Sequence, residues 1–216
     1  MTSSRPQRLI GVLGTQTEVG KTWVAARLLV QAKAAGLRVA ARKPAQSFEP
    51  VAASISKRAE DSATDAHQLA AATGEDPLVV CPAHRWYPLA LAPPMAADQL
   101  QRPRITLDEL VAEIVWPQNV DVGLVETAGG PRSPLSHDGD SVDLIKRLQP
   151  DLVVLVADAG LGTLNAVRLA LASLEPLTAT VVLNRFDAGN ELHRMNRDWL
   201  RDRYGVRVAT DVSELR

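Results

Sequence analysis

Apolar residues in this chain gather in short runs, and between the runs they recur every three or four positions. Leu9 to Leu13 is a short apolar run that reads as a buried strand, and Val122–Val125 and Leu152–Ala157 are clearer ones, rich in Val and Leu and nearly unbroken. Runs of that kind suit strands covered on both faces. Val39–Arg42, Thr180–Leu183 and Val206–Ala209 read as further strands. Helical spacing predicts a helix over Lys21–Ala35, with Gly36 as its stop. It predicts others near Ala63–Thr73, Leu107–Ile114, Ser141–Leu148, Leu164–Leu174 and Leu192–Tyr204. Strand and helix alternate, which indicates a mainly parallel sheet with right-handed crossovers. Ser47–Ala63 and Cys81–Arg104 read as irregular, and the second holds Pro93-Pro94. Long irregular stretches inside a compact domain are often functional.

Composition narrows this picture without redirecting it. A length of 216 residues suits one α/β domain over 1–216, and 46% apolar residues can build its core. The net charge of −1 gives no sign of a nucleic-acid partner, and no stretch approaches a membrane span. Cys81 is the single cysteine, so no disulfide can form within the chain; it reads as a small buried hydrophobe. The polar N-terminus lacks a signal-type apolar run, and the expected compartment is the cytoplasm. His67, His84, His137 and His193 are scattered, with neither the spacing nor the cysteines of a zinc site.

The candidate chemistry begins directly after the first strand. Gly14-Thr15-Gln16-Thr17-Glu18-Val19-Gly20-Lys21-Thr22 lies between a strand and a helix, the setting of a phosphate-binding loop. Backbone N–H groups of such a loop, with the positive end of the following helix, bind phosphate oxygens. Lys21, expected at a surface loop, would reach the terminal phosphates, and Thr22 would place a hydroxyl on Mg²⁺. Relative to G-x-x-x-x-G-K-[ST] the first glycine is one position early, with Thr15 where it should stand. Glu18 puts a carboxylate beside the phosphates, so it needs a different role, toward a metal, a basic residue or a substrate amine. Glu126 lies just after a strand, at the sheet edge where the loop also sits, so the two can converge.

The loop resembles the modified phosphate loop of the dethiobiotin synthase family. Lys43-Pro44-Ala45-Gln46-Ser47, Asp65, Ala92-Pro93-Pro94-Met95-Ala96-Ala97, Glu126-Thr127-Ala128-Gly129-Gly130, Leu161-Gly162-Thr163-Leu164-Asn165 and Asn184 resemble further family segments, in the same order. The resemblance covers roughly residues 9 to 187. It implies an α/β P-loop nucleotide-binding fold whose mainly parallel central sheet is flanked by helices. It also implies an ATP- and Mg²⁺-dependent ligase that closes the ureido ring of dethiobiotin from 7,8-diaminononanoate and CO₂. The route would run through a carbamate and a carbamic-phosphoric anhydride.

The resemblance assigns Thr17, Lys21 and Lys43 to catalysis, and Glu18, Val19, Gly20, Lys21, Thr22 and Asn184 to the nucleotide, with Asn184 at the base. It assigns Thr22, Asp65 and Glu126 to the metal. Lys43, Ser47 and Gly129 fall to the substrate, with Gly162 and Asn165 reaching the substrate tail across a homodimer interface. Plainer roles stand beside these: Asp65 as a helix-terminal carboxylate, Thr163 as a helix cap, Glu126 as a solvated strand-end carboxylate. Phe48 stands where the family usually has glycine, Met95 where it often has His, and Pro131-Arg132 adds a rigid turn and a charge. Thr210-Asp211 follows the last strand where an Ile-Pro segment is usual. Other readings are a regulatory ATPase of the partition or septum-site type, an ATP-using amidotransferase or ligase, and a paralogue that binds nucleotide without catalysis. The loop lacks the early lysine of the regulatory class, and the length leaves no room for a glutaminase domain.

Overall fold

Alternation along the strands sorts their side chains onto two covered faces. In β1 (Arg8–Gly14), Ile10 and Val12 turn toward α1 (Lys21–Ala34), while Leu9 and Leu13 turn the other way. The structure is a computed structural model that describes residues 5–49 and 64–215. The other main-sheet strands are β2 (Val39–Arg42), β5 (Val122–Glu126), β6 (Leu152–Asp158), β7 (Ala179–Asn184) and β8 (Val208–Ala209). All pair parallel, in the order β2-β5-β1-β6-β7-β8. The first strand is therefore central, with β5 on one side and β6 on the other. Such a reversal of strand order opens a crevice at the carboxyl ends of the strands, where ligands bind in open α/β sheets.

One face is packed by α1 and α2 (Asp65–Thr73), whose Val24, Leu29, Ala66 and Leu69 share a cluster with sheet residues such as Leu124 and Val154. The opposite face is covered by α6 (Ser141–Leu148) and α7 (Thr163–Leu174) toward β6 and β7, and by α4 (Pro93–Gln99) and α5 (Leu107–Glu113) toward β2 and β5. Local signals start two of these helices. Thr106 with Glu109, and Asp140 with Asp143, form reciprocal capping boxes.

The structure departs from the sequence pattern where elements are short. The first expected irregular stretch begins at the end of β3 (Gln46–Ser47), and the second contains α4 and β4 (Trp86–Tyr87), which pairs parallel with β3. The prolines of α4 stand in its first turn, where the missing N–H is no loss. A short helix, α3 (Pro77–Val80), has no counterpart in the periodicity. The last strand pairs only at Val208 and Ala209, not from Val206. The expected helix over Leu192–Tyr204 is α8 (Glu191–Asp198) followed by a wider turn over Trp199–Arg203. Ala63, the expected start of α2, and most of the irregular stretch after Ser47 lie outside the described residues. No helix among the described residues is long and apolar enough to cross a membrane.

Candidate active site

The turn after β1 folds back on itself. Its departure from the sheet is fixed by Thr15 N–H donating to Val156 O at 2.8 Å. Gly14 is needed here because a Cβ would lie 2.7 Å from Val19 Cγ2 and 2.8 Å from Lys21 Cγ. The early glycine is thus the one over which the Lys21 stem packs. Lys21 is not at the surface, contrary to the sequence expectation. It is 7% exposed, and its Nζ donates to Gln16 O at 3.1 Å. Burial, and then the charge of Lys43, lower its pKa from the usual lysine value.

Glu18 and Gly20 take positive φ, 63° and 91°. Glu18 is exposed, and Arg185 donates to its carbonyl at 3.1 Å. Asn184, at the end of β7, donates from Nδ2 to Val19 O at 2.9 Å. Its amide nitrogen therefore holds the loop backbone. Thr17 is exposed on the loop.

Four residues distant in sequence meet beside Lys21. Thr22 Oγ1 lies 2.9 Å from both Asp65 Oδ1 and Glu126 Oε1, to which it can donate. Lys43 Nζ lies 2.7 Å from Asp65 Oδ2 and 2.5 Å from Glu126 Oε1, and donates to Thr127 O at 3.2 Å. Each is delivered by an element end. Lys43 follows β2, with its N–H on Val80 O; Glu126 ends β5, paired with Val12; Asp65 opens α2; Thr22 lies in the first turn of α1. Glu126 is fully buried and Lys43 nearly so, whereas the Asp65 side chain is 40% exposed. Burial opposes the Lys43 charge, but Asp65 and Glu126 overcome it and hold the ammonium protonated. The Lys43 charge, against a smaller burial effect, lowers the Asp65 pKa. Asp65 does not cap its helix, and Glu126 is not a solvated strand-end carboxylate.

Glu126 Oε2 is buried without a hydrogen-bond partner among the described residues. With Thr22 and Asp65 it forms a set of hard oxygen donors of the kind Mg²⁺ takes. Ser47 Oγ and Gln46 Nε2 are also buried without partners among the described residues. Sequence reasoning passed over Gln46. Its Oε1 accepts from Ala66 N at 3.0 Å, which satisfies a first-turn amide of the helix carrying Asp65. A glutamine within the lysine-to-serine segment was the available signal.

Phe48 does not intrude as a free ring. It sits edge-on to Trp86, 6.2 Å between centroids, and its N–H donates to Tyr87 O. Met95 is exposed, and Arg132 pairs with Asp140 at 2.9 Å. Cys81 is buried, and burial pushes its thiol up to about 12, in keeping with a hydrophobe. The His137 side chain is buried and held between Asp98 and Ile105.

Gly129 has φ 67° and packs on Ser133, whose Oγ accepts from Gly130 N. The Gly130–Pro134 loop and α7 border a groove of about 570 Å³, into which Thr15, Asn165 and Leu169 also face. Gly162, exposed and at φ 90°, is the N-cap of α7, and no side chain caps this helix. Thr163 is not the cap; its Oγ1 is buried without a partner among the described residues. Gly162 and Asn165 make no contact with the Lys43 cluster of their own chain among the hydrogen bonds and ion pairs of the described residues.

Residues 8–216 match a family model described as an AAA domain. The chain is 35% identical over 203 residues to the ATP-dependent dethiobiotin synthetase BioD of Haloferax mediterranei, covering 92% of this chain and 81% of that one. It is 36% identical to the enzyme of the same name from Caulobacter vibrioides, over 82% of this chain and 80% of the relative. For the one from Rhodococcus jostii the identity is 33%, over 94% and 85%. Among solved structures, the signal recognition particle receptor FtsY from Elizabethkingia anophelis superposes with a TM-score of 0.55 at 18% identity. That match covers 99% of this chain but 62% of the receptor's, and it is a likeness of fold.

Proposed function

The chain belongs to the ATP-dependent dethiobiotin synthetase family, and on that premise we propose that it is itself an ATP-dependent dethiobiotin synthetase, a ligase of biotin synthesis. The observation that carries this reading is the buried junction of Lys43, Thr22, Asp65 and Glu126 beside the phosphate loop. It couples a fixed cation to oxygen donors at the point where a terminal phosphate would lie.

The substrates are 7,8-diaminononanoate, CO₂ and ATP. One amine adds to CO₂ and loses a proton, forming a carbamate. A carbamate oxygen attacks the γ-phosphorus, and ADP leaves. The second amine then attacks the carbonyl carbon of the mixed anhydride, expelling phosphate and losing a proton as the ring closes. Thr22, Asp65 and Glu126 would hold Mg²⁺, which would supply positive charge to the phosphate oxygens.

The chain itself contributes positioning and charge neutralisation, as phosphoryl transfer requires. Lys21 and the loop N–H groups, with Glu18, Val19 and Gly20, hold the triphosphate; Thr17, exposed on the loop, would act in catalysis. Lys43 stabilises the carbamate and the transferring phosphoryl group. Held as an ammonium, it acts as a cation and not as a base. Its three N–H donors already meet Glu126, Asp65 and Thr127. Asp65, partly exposed, is the partner free to turn aside as substrate arrives. Ser47 Oγ donates to carbamate oxygens, which would give it the partner it lacks among the described residues. Gly129 allows close approach of backbone to substrate. Gly162 and Asn165 of a second copy hold the substrate tail, so the working form is a homodimer. Asn184 Oδ1 faces the nucleotide base.

The test is direct. Purified protein with the diamine, bicarbonate, ATP and Mg²⁺ yields dethiobiotin by mass spectrometry, and Lys21→Ala lowers turnover by about 10²-fold or more with unchanged circular dichroism. Folded wild-type protein at substrate-level concentration that forms no product would end the proposal.

A further inference from the structure

The nucleotide site described above has a defined terminal-phosphate end, while at its base end only Asn184 Oδ1 is assigned. Lys43, Asp65 and Glu126 come from β2, α2 and β5, all on one side of β1. The terminal phosphate belongs on that side. A nucleotide held by the loop must therefore run its ribose and base the other way, past the first turn of α1 toward the ends of β7 and β8.

Much of the polar equipment at that end is already engaged. Asn184 Nδ2 is spent on Val19 O, and Arg185 on Glu18 O and Asp158. Thr210 Oγ1 donates to Glu214, and Asp211 Oδ1 accepts from Ser213 N. These bonds tie the two strand ends to the loop and to themselves, leaving little besides Asn184 Oδ1 to read the edge of a base.

What stands half-exposed there is an aromatic side chain. Trp23 directly follows Thr22 in the first turn of α1 and is 52% exposed. Val24, Ala25, Leu28 and Leu29 bury the opposite face of this helix, so Trp23 and Arg27 lie together on the outer one. The Arg27 guanidinium lies over the indole, 5.2 Å from its centroid. The same guanidinium reaches Asp211 Oδ2 at 3.9 Å, in the turn that follows β8. The indole is thus braced between the loop's own helix and the end of the edge strand. A half-exposed tryptophan loses apolar hydration and gains face contact when a planar ring covers it.

We infer that Trp23, braced by Arg27, is the platform on which the nucleobase stacks, so that the base is held by its face more than by its edge. The inference rests on the reading of the loop as a nucleoside triphosphate site. Stacking contributes affinity for any base, because each presents a π-face. The residue therefore sets how tightly nucleotides bind while discriminating weakly among purines.

Calorimetry on the full chain tests this with three probes: ATP, GTP and inorganic tripolyphosphate, which has no base. Trp23→Ala is expected to weaken ATP and GTP alike by about tenfold and to leave tripolyphosphate unchanged, and Trp23→Phe to restore most of the loss. An ATP affinity unchanged by Trp23→Ala overturns the inference while leaving the nucleotide site intact. An equal weakening of tripolyphosphate overturns it too, because the defect would then lie in the loop. A loss confined to ATP overturns face stacking in favour of edge reading. Wild-type protein that binds neither nucleotide nor tripolyphosphate removes the nucleotide reading itself, and this inference with it.

Discussion

Lysine is almost never fully buried without a partner, and Lys43 lies beneath the surface against two carboxylates and a carbonyl. Removing one member of such a buried arrangement is more costly than never having it, since the remaining charge stays buried unpaired. Lys43→Met keeps the length and apolar stem of the side chain but leaves Glu126, which has no exposure at all, without its cation. The expected loss is about 3–5 kcal/mol in urea unfolding. Lys43→Met combined with Glu126→Gln should recover part of it, since no fully buried carboxylate then remains unpaired. A single variant within about 1 kcal/mol of wild type would show that the pairing is not what Lys43 supplies to the fold. The residue types at these positions were legible from the chain. Their degree of burial was not, because it depends on which segments close over them. Lys21 shows this plainly: a lysine in a loop reads as exposed, yet its stem packs across Gly14 and its ammonium returns to Gln16.

At the level of elements, the loop and the end of β7 act as one piece. Gly20 holds φ 91°, and a Cβ there would lie 2.1 Å from Asn184 Nδ2, the atom that holds Val19 O. Gly20→Ala therefore meets a backbone penalty and a collision together. A destabilisation of about 1–3 kcal/mol is expected, with weakened ATP binding as Asn184 is displaced. Adding Asn184→Ala removes the collision but not the penalty from φ, so chemical denaturation of the pair should recover only part of the loss. Full recovery would show that backbone conformation contributes nothing. Long elements were readable because their apolar periodicity repeats. The two-residue strands β3 and β4 repeat nothing, and α4 was obscured by prolines that in fact begin it. The five residues after α8 keep helical spacing but open into a wider turn, a difference of hydrogen-bond pattern that composition does not carry.

Across the whole molecule, the groove beside α7 bears on the state of assembly. Leu169 lies on it and is 65% exposed, and Asn165 faces the same groove. If a second copy covers this face, sedimentation equilibrium at micromolar concentration gives the mass of a dimer. Leu169→Glu then weakens the dimer at least about tenfold, consistent with placing a charge in an apolar contact. Thermal stability of the protomer should be nearly unchanged, because the residue is outside its core. A monomeric wild type would remove the homodimer from the proposed mechanism. The alternation of strands and helices, the phosphate loop, and the identities of Lys43, Asp65 and Glu126 can all be read from the chain, because periodicity and motif spacing are local properties. The convergence of those three on Thr22, the hold of Asn184 on the loop, and the half-exposure of Trp23 beside it cannot. They follow from strand order, β1 being flanked by β5 and β6, and strand order comes from packing between segments that are remote along the chain.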